Sequence, residues 1–503
     1  MQRKSGRGTG EALLGRLPVQ HPEGVGGSIV PGIRRTTKPT IGKATSRTMA
    51  RAESRRLLVM NLTEARDKTT ALQSSLYKAA ILKPRRRFHA LYDKLYREDV
   101  LLCAWQQVRD NGGAPGIDGV TVKSVRENDV SQYLSDLAQE LKSKSYRPKP
   151  ARRVEIPKDG GKVRQLGIPT VRDRIVQAAA KLILEPIFEA DFCDTSYGFR
   201  PGMGQLDALA NVQENARKGF RVVLDADIEG FFDNVNHEHM MEALRCRIRD
   251  AWILRLIWRW LKAGVIVLQE REDTDQGAPQ GGVLSPLLAN IYLHDMDQSF
   301  GKARPKMGLM TRFADDFVVQ CGNLENAQKA LGWVGTHLAR IGLHLNEAKT
   351  RIVVDTEGFD FLGFHHRRVK SDWGSSYRWP SHKACRRFRE RFREKLRSSG
   401  ECQTADGRKQ ALENIIRYMR GWRDYYHHGQ SGNVFRKLDR FVLEHVARHF
   451  TRCQPRGKNR KKRRWQEIAE HLATSHVIPW LQRSRDWPET KYRGNANVRW
   501  RAV

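Results

Sequence analysis

Two adjacent carboxylates, Asp315 and Asp316, lie in the otherwise apolar run Phe313-Ala-Asp-Asp-Phe317. Burying two acids side by side is costly unless a cation neutralises them. Mg²⁺ is the natural candidate, because it is a hard ion that prefers oxygen ligands. A second acidic segment lies upstream, Val222-Val-Leu-Asp-Ala-Asp-Ile-Glu-Gly-Phe-Phe-Asp233. Read as a strand, its two-residue alternation puts Asp225 and Asp227 on one face and Leu224, Ala226 and Ile228 on the other. If the two segments lie side by side, Asp227 and Asp315 can hold two metal ions about 3.5–4 Å apart. One ion would activate a primer 3′-hydroxyl and the other would steady a leaving pyrophosphate. Phosphoryl transfer needs positioning and charge neutralisation more than covalent chemistry, so this set suffices. Asp225 and Asp233 read as supporting residues, the first as a contact behind the metal ligands and the second as a helix cap.

The elements that must position these acids can be read around them. Residues 221–228 form a buried strand and Thr311–Val319 a hairpin. Between them, Ser285-Pro286 opens a helix with a capping hydroxyl and then a proline at the first position. Residues 151–168 form another hairpin: Val154 and Ile156 alternate on one arm, and Asp159-Gly160-Gly161 supplies the turn. Lys158 and Arg164 flank that turn, and two cations on a hairpin can neutralise a nucleoside triphosphate. Thr170, with Asp173 three residues on, caps the helix that follows. The glycines of Asn111–Gly119 mark a loop. Upstream, Leu72, Leu76, Tyr77, Ala80, Leu91, Leu95, Leu101, Leu102 and Trp105 suit the apolar faces of helices. In Ala278-Pro-Gln-Gly-Gly282 the glycines allow close backbone approach, and the Gln280 amide can bond a sugar or base. Phe232, just after the acidic strand, offers a ring bulky enough to exclude a 2′-hydroxyl.

Composition points to the partner. The 503 residues include 90 Lys plus Arg against 56 Asp plus Glu, a net charge of +34. A surface this positive calls for a polyanion, and nucleic acid is the obvious one. The seven cysteines include no C-x-x-C pair, so no zinc module is signalled, and their scatter suits a reducing compartment. No apolar run is long enough to cross a bilayer. Residues 1–60 read as a basic leader without regular structure; their low acid content would also suit an organellar transit peptide.

Taken in order, the motifs resemble a known family. Asn111–Gly119, Ile156-Pro-Lys, Leu166-Gly-Ile-Pro169, Ser196-Tyr-Gly-Phe-Arg-Pro-Gly202, Asp227-Ile-Glu-Gly-Phe-Phe-Asp233, Gln276-Gly-Ala-Pro-Gln-Gly-Gly-Val-Leu-Ser-Pro286, Phe313-Ala-Asp-Asp316, Lys349-Thr350 and Phe361-Leu-Gly363 resemble the successive blocks of group II intron reverse transcriptases. The likeness covers roughly residues 70 to 450. It implies an α+β right-hand polymerase, with fingers, a palm with an antiparallel sheet, and a thumb. Fingers and palm would occupy 61–370, a helical thumb or maturase domain 371–465, and a short basic tail 466–503.

Carried over, the resemblance makes Asp227, Asp315 and Asp316 the catalytic aspartates. Asp227, Asp315 and the backbone carbonyl of Ile228 would hold two Mg²⁺ ions. Lys158, Arg164, Phe232 and Gln280 would contact the incoming dNTP, and Leu362 and Gly363 would grip the primer end. The family's usual tyrosine before the acid pair is Phe313 here. In the maturase segment, Ile415, Ile416, Met419, Trp422, Tyr425 and Tyr426 recur at helical spacing. Of these, Ile416, Met419 and Trp422 read as core. The interleaved Arg417, Arg420 and Arg423, with Arg436, Lys437 and Arg440, would face RNA phosphates, as would the run Arg460, Lys461, Lys462, Arg463 and Arg464. The expected partners are the group II intron RNA, a DNA target and primer, and dNTPs, in a bacterial cytoplasmic ribonucleoprotein. With no cysteine pairs and no His-Asn-His pattern after Trp465, no second-strand endonuclease is expected. Two other readings compete. A retron or diversity-generating reverse transcriptase would lack the Gly421-Trp422…Tyr425-Tyr426 segment. A splicing-only maturase would have no reason to keep all three aspartates.

Overall fold

In a computed structural model, the structure describes residues 60–157, 163–267, 270–272, 277, 281–369, 376–401 and 405–453. The chain opens with helices α1 (Leu62–Leu82), α2 (Tyr92–Leu95), α3 (Glu98–Asn111), α4 (Val122–Glu127) and α5 (Val130–Lys142). Strands β1 (Ala151–Pro157) and β2 (Val163–Ile168) then form the antiparallel hairpin read from the sequence, with Ile156 opposite Arg164. Helix α6 (Val171–Glu189) follows, and its cap is the predicted one: the Thr170 hydroxyl accepts from the Asp173 N–H at 3.1 Å. Arg174 of α6 donates to the Gly112 carbonyl at 3.0 Å and to the Ala114 carbonyl, fixing the glycine loop against this helix. Leu76, Ala80, Leu91, Leu95, Leu101 and Trp105 are buried as expected, but Tyr77 is exposed; α1 turns it away from the face packed on α3 and α6.

The palm comes next: α7 (Gln205–Arg217), β3 (Val222–Asp227), α8 (His237–Arg245), α9 (Ala251–Leu261), β4 (Val265–Val267), β5 (Glu270–Glu272), α10 (Ser285–Met307), β6 (Leu309–Phe313), β7 (Asp316–Cys321), α11 (Leu324–Arg340) and β8 (Arg351–Val354). Its sheet has the order β6-β7-β3-β8, every pair antiparallel. The β1–β2 hairpin is extended by β4, parallel to β1, and by β5. Strands β9 (Phe359–Phe361), β10 (Phe364–Arg368) and β11 (Ser376–Pro380) make a third sheet, and helices α12 (His382–Glu401), α13 (Ala405–Tyr426) and α14 (Gly432–Cys453) complete the described chain.

The palm sheet separates two apolar cores. Leu224, Ala226, Phe317 and Val319 face the first, built mainly from α1, α3, α6, α10 and α11. Val223, Val318 and Val353 face the second, with Phe359, Phe361 and Phe364 and with Phe388, Phe392, Ile415, Met419, Phe435 and Leu438 of the C-terminal helices. Burying a phenylalanine side chain contributes about 1.5–3 kcal/mol, and Phe388, Phe392 and Phe435 are each fully buried. The stripe read on α13 is therefore core at Ile415, Met419 and Tyr426, with Ile416 and Trp422 half-buried at its margin. The architecture is mixed, with antiparallel palm strands and a helical C-terminal region. Among the described residues, no helix is long and apolar enough to cross a membrane.

Candidate active site of the palm

Strand alternation carries the acids to one place. Asp225 and Asp227 lie on the same face of β3 as Val223, and Asp316 lies on the same face of β7 as Val318. The register sets Asp227 directly opposite Asp316 and Asp225 opposite Val318. Asp315 stands in the two-residue turn joining β6 to β7, where Phe313 pairs with Asp316. The three sequence-predicted catalytic aspartates thus meet at one end of the palm sheet.

Ile228 lies just beyond β3, in an antiparallel bridge to Leu345. The flanking bonds are Asn346 N–H to the Asp227 carbonyl at 2.8 Å and Glu229 N–H to the His344 carbonyl at 2.9 Å. In that pattern the bridged residue's own carbonyl points away from its partner strand. The Ile228 carbonyl is therefore directed to the β7 side, where Asp315 stands.

The electrostatics are those of a site built for a cation. Burial, and then the charges of Asp225, Asp315 and Asp227, push Asp316 up to about 7 from an ordinary 3.8. The residue as a whole is nevertheless exposed at the edge of the sheet, so the direction of the shift rests also on the crowding of its carboxyl among the other acids. Burial also raises Asp225, and its bond from Arg351 Nε at 3.2 Å opposes that rise. Lys349 Nζ sits 2.7 Å from Asp227 Oδ2, partly neutralising the cluster. Among the described residues, no group of three or more His, Cys, Asp or Glu side chains is arranged to hold a metal ion by itself. An open donor set of one or two carboxylates, with substrate phosphates completing the sphere, is how Mg²⁺ is commonly bound. The residues present fit a divalent ion that takes some of its ligands from outside the cluster.

Asp225 is paired with Arg351 of β8. Asp233 does not cap a helix. Asn236 does, its side chain accepting from the Glu238 and His239 N–H groups, while Asp233 is spent in the tight turn with its N–H on the Gly230 carbonyl at 2.8 Å. Phe232 is half-buried and packs edge-on against Phe231, centroids 5.1 Å apart. Gly277 fits against the Phe232 and Asp233 carbonyls, where an added Cβ would lie 3.2 and 3.0 Å away. Arg164 is on β2 opposite Ile156. Lys158, Gln280 and the run Arg460–Arg464 lie outside the described residues.

Leu362 and Gly363 form the turn between β9 and β10, with φ of +48° and +79°. Two consecutive positive values suit the twist of a tight hairpin. The turn is held from the C-terminal helices: the Tyr425 hydroxyl donates to the Leu362 carbonyl at 2.8 Å, and a Cβ on Gly363 would lie 2.5 Å from the Tyr426 hydroxyl oxygen. Arg417, Arg420, Arg436, Lys437 and Arg440 are exposed and Arg423 is partly so, although Arg440 pairs with Glu444 and Arg423 with Asp424. Sequence reasoning missed Lys349, Arg351 and Tyr425 as partners of the site. Only their spacing in the family blocks could have flagged the first two.

The reverse transcriptase (RNA-dependent DNA polymerase) family matches residues 156–366. The maturase-specific domain of group II introns matches residues 386–467. Protein YkfC of Escherichia coli (strain K12) is 36% identical over 341 residues, 60% of this chain and 89% of that protein. The chain belongs to the group II intron-encoded reverse transcriptases. The group II intron-encoded protein LtrA of Lactococcus lactis subsp. cremoris is 39% identical over 214 residues, covering 42% of this chain and 35% of LtrA. An uncharacterized 91 kDa protein in the cob intron of Schizosaccharomyces pombe is 33% identical over 213 residues, 41% of this chain and 25% of that protein. The palm thus belongs to an RNA-directed DNA polymerase, and the reverse transcriptase family is generally dependent on divalent metal.

Proposed function

We propose that the protein copies its own intron RNA into cDNA and binds that RNA to assist splicing and mobility. The observation that supports the polymerase reading most directly is the pairing of Asp227 with Asp316 across β3 and β7, with Asp315 in the adjoining turn. Two Mg²⁺ ions, when bound, would lower the pKa of the primer hydroxyl and neutralise the leaving pyrophosphate. Asp227, Asp315 and the Ile228 carbonyl would hold them, and Asp316 would set the local charge. Lys158 and Arg164 would neutralise the triphosphate, Phe232 would bar a 2′-hydroxyl, and Gln280 would orient the nucleotide. Leu362 and Gly363 would seat the primer end.

Fingers and palm would span 61–370 and the thumb or maturase domain 371–465. Arg417, Arg420, Arg423, Arg436, Lys437 and Arg440, together with Arg460, Lys461, Lys462, Arg463 and Arg464, would bind intron RNA phosphates. Such contacts position the RNA without reading its sequence. The particle would act on a DNA target in the cytoplasm.

Primer extension on an RNA template with Mg²⁺, wild type against Asp315→Ala, tests this reading. Wild type should make cDNA and the variant none, with RNA affinity unchanged. A wild type that binds structured RNA tightly but makes no cDNA would establish a splicing-only maturase instead.

A further inference from the structure

The turn that carries Asp315 is strained and gripped from beneath. Ala314 has a φ of +61°, a left-handed conformation that disfavours a non-glycine residue. Such strain persists only where the surroundings over-determine it. Here the surroundings converge on Arg312, a fully buried guanidinium on β6. Its Nη1 donates to the Ala314 carbonyl at 2.7 Å and to Asn290 Oδ1 at 3.0 Å. Its Nη2 donates to Ser196 Oγ at 2.7 Å, and its Nε donates to Asp297 Oδ1 at 2.8 Å. A second bond to Asp297 makes that pair bidentate.

The network also clamps the other side of the turn. Asn290 Nδ2 donates to the Gly198 carbonyl at 2.7 Å, and Gly198 fits so closely that a Cβ there would lie 2.4 Å from the Ala314 nitrogen. Asn290 and Asp297 both stand on α10, and Ser196 and Gly198 belong to the Ser196–Gly202 block. A buried ion pair is a poor way to gain stability, because hydrophobic residues of similar volume often do as well or better. Five donors in a fixed fork are, however, a good way to hold four acceptor groups in one geometry.

We propose that Arg312, oriented by Asp297, is a positioning residue for polymerisation: it holds the left-handed Ala314 and so places Asp315 against Asp227. This rests on the polymerase reading above. Its test separates the two, because wild-type cDNA synthesis is measured first and a silent wild type would sink only that earlier reading.

The test pairs Arg312→Met with Asp297→Leu, removing both charges at once so that neither is left unpaired. The double variant should melt within a few degrees of wild type and keep its RNA affinity. Its kcat should fall about 100-fold with the KM for dNTP unchanged, the scale of loss expected when a reacting group is misplaced by about 1 Å. Arg312→Lys, which keeps the charge but cannot reach all four acceptors, should fold and lose less activity. A folded double variant that extends primers at the wild-type rate would overturn the proposal. So would failure of both variants to fold, since the network would then be scaffold alone.

Discussion

Acidification should weaken divalent-metal binding at the palm by about tenfold between pH 8 and pH 6. The group responsible is Asp316, raised from 3.8 to about 7 by burial and by Asp225, Asp315 and Asp227. A divalent ion entering this cluster must displace the proton, because both favour the same negative charge. The apparent dissociation constant then scales as one plus the ratio of proton concentration to acid constant. That factor is about 1.1 at pH 8 and about 11 at pH 6 for a group titrating near 7. Folding of the metal-free protein has the opposite pH dependence. A carboxyl whose folded pKa is raised stabilises the metal-free protein most below its unfolded pKa, and that contribution is lost as pH rises from about 4 to about 7. Metal should therefore raise the melting temperature more at pH 8 than at pH 6. Asp225→Asn removes the neighbouring charge that raises Asp316 most and should move the midpoint to lower pH. Calorimetric titration with Mn²⁺ or Mg²⁺, without nucleic acid, measures both effects. Affinity that is flat from pH 6 to pH 8, or a midpoint unmoved in Asp225→Asn, would refute the reasoning.

The remaining predictions concern the C-terminal helices. Tyr425→Phe deletes the hydroxyl that holds the Leu362 carbonyl, a bond worth about 0.5–1.5 kcal/mol; primer-template should dissociate faster in a single-turnover chase while intron RNA affinity stays constant. Gly363→Ala meets both a φ of +79° and the Tyr426 hydroxyl, so it should cost more than about 1 kcal/mol, read as a lowered urea midpoint. Phe388→Ala empties a fully buried site 4.8 Å from Trp422 and should cost about 3–5 kcal/mol, seen as a loss of thermal stability. Arg417→Gln with Arg420→Gln should lower the slope of log affinity against log salt by nearly two for RNA; an unchanged slope would remove both side chains from the interface.

The acid pair, the β1–β2 hairpin and the Thr170 cap were legible because each is written in neighbouring residues. Alternation over Val222–Asp227 places two carboxylates on one face whatever else the fold does. Asp233 misled because three residues able to cap, Asp233, Asn234 and Asn236, stand close together before α8. The turn at Gly230 consumes Asp233 and leaves Asn236 at the helix start. Lys349 and Arg351 were not legible, because they meet Asp227 and Asp225 only when β8 pairs with β3, more than 120 residues away in sequence. The same limit explains Arg312, which reads as an ordinary surface cation in Thr-Arg-Phe until α10 supplies Asn290 and Asp297.

The two turns expected to carry function share one construction that no local pattern reveals. Each places a non-glycine residue in the left-handed region, Ala314 at +61° and Leu362 at +48°. Each has that residue's carbonyl held by a side-chain donor, Arg312 at 2.7 Å in one and Tyr425 at 2.8 Å in the other. A glycine would have made either turn at less conformational cost, but it would also have let the turn relax when its support was lost. With alanine and leucine there, the turn geometry depends on packing that arrives from elsewhere, α10 for the catalytic turn and α13 for the Leu362–Gly363 turn. The Leu362–Gly363 turn is therefore fully supported only once α13 has docked, which ties it to the segment matching the maturase-specific domain. Tyr425→Phe and Arg312→Lys, combined, should then act additively on stability, since the turns share no partner, yet more than additively on primer extension, which needs both turns at once.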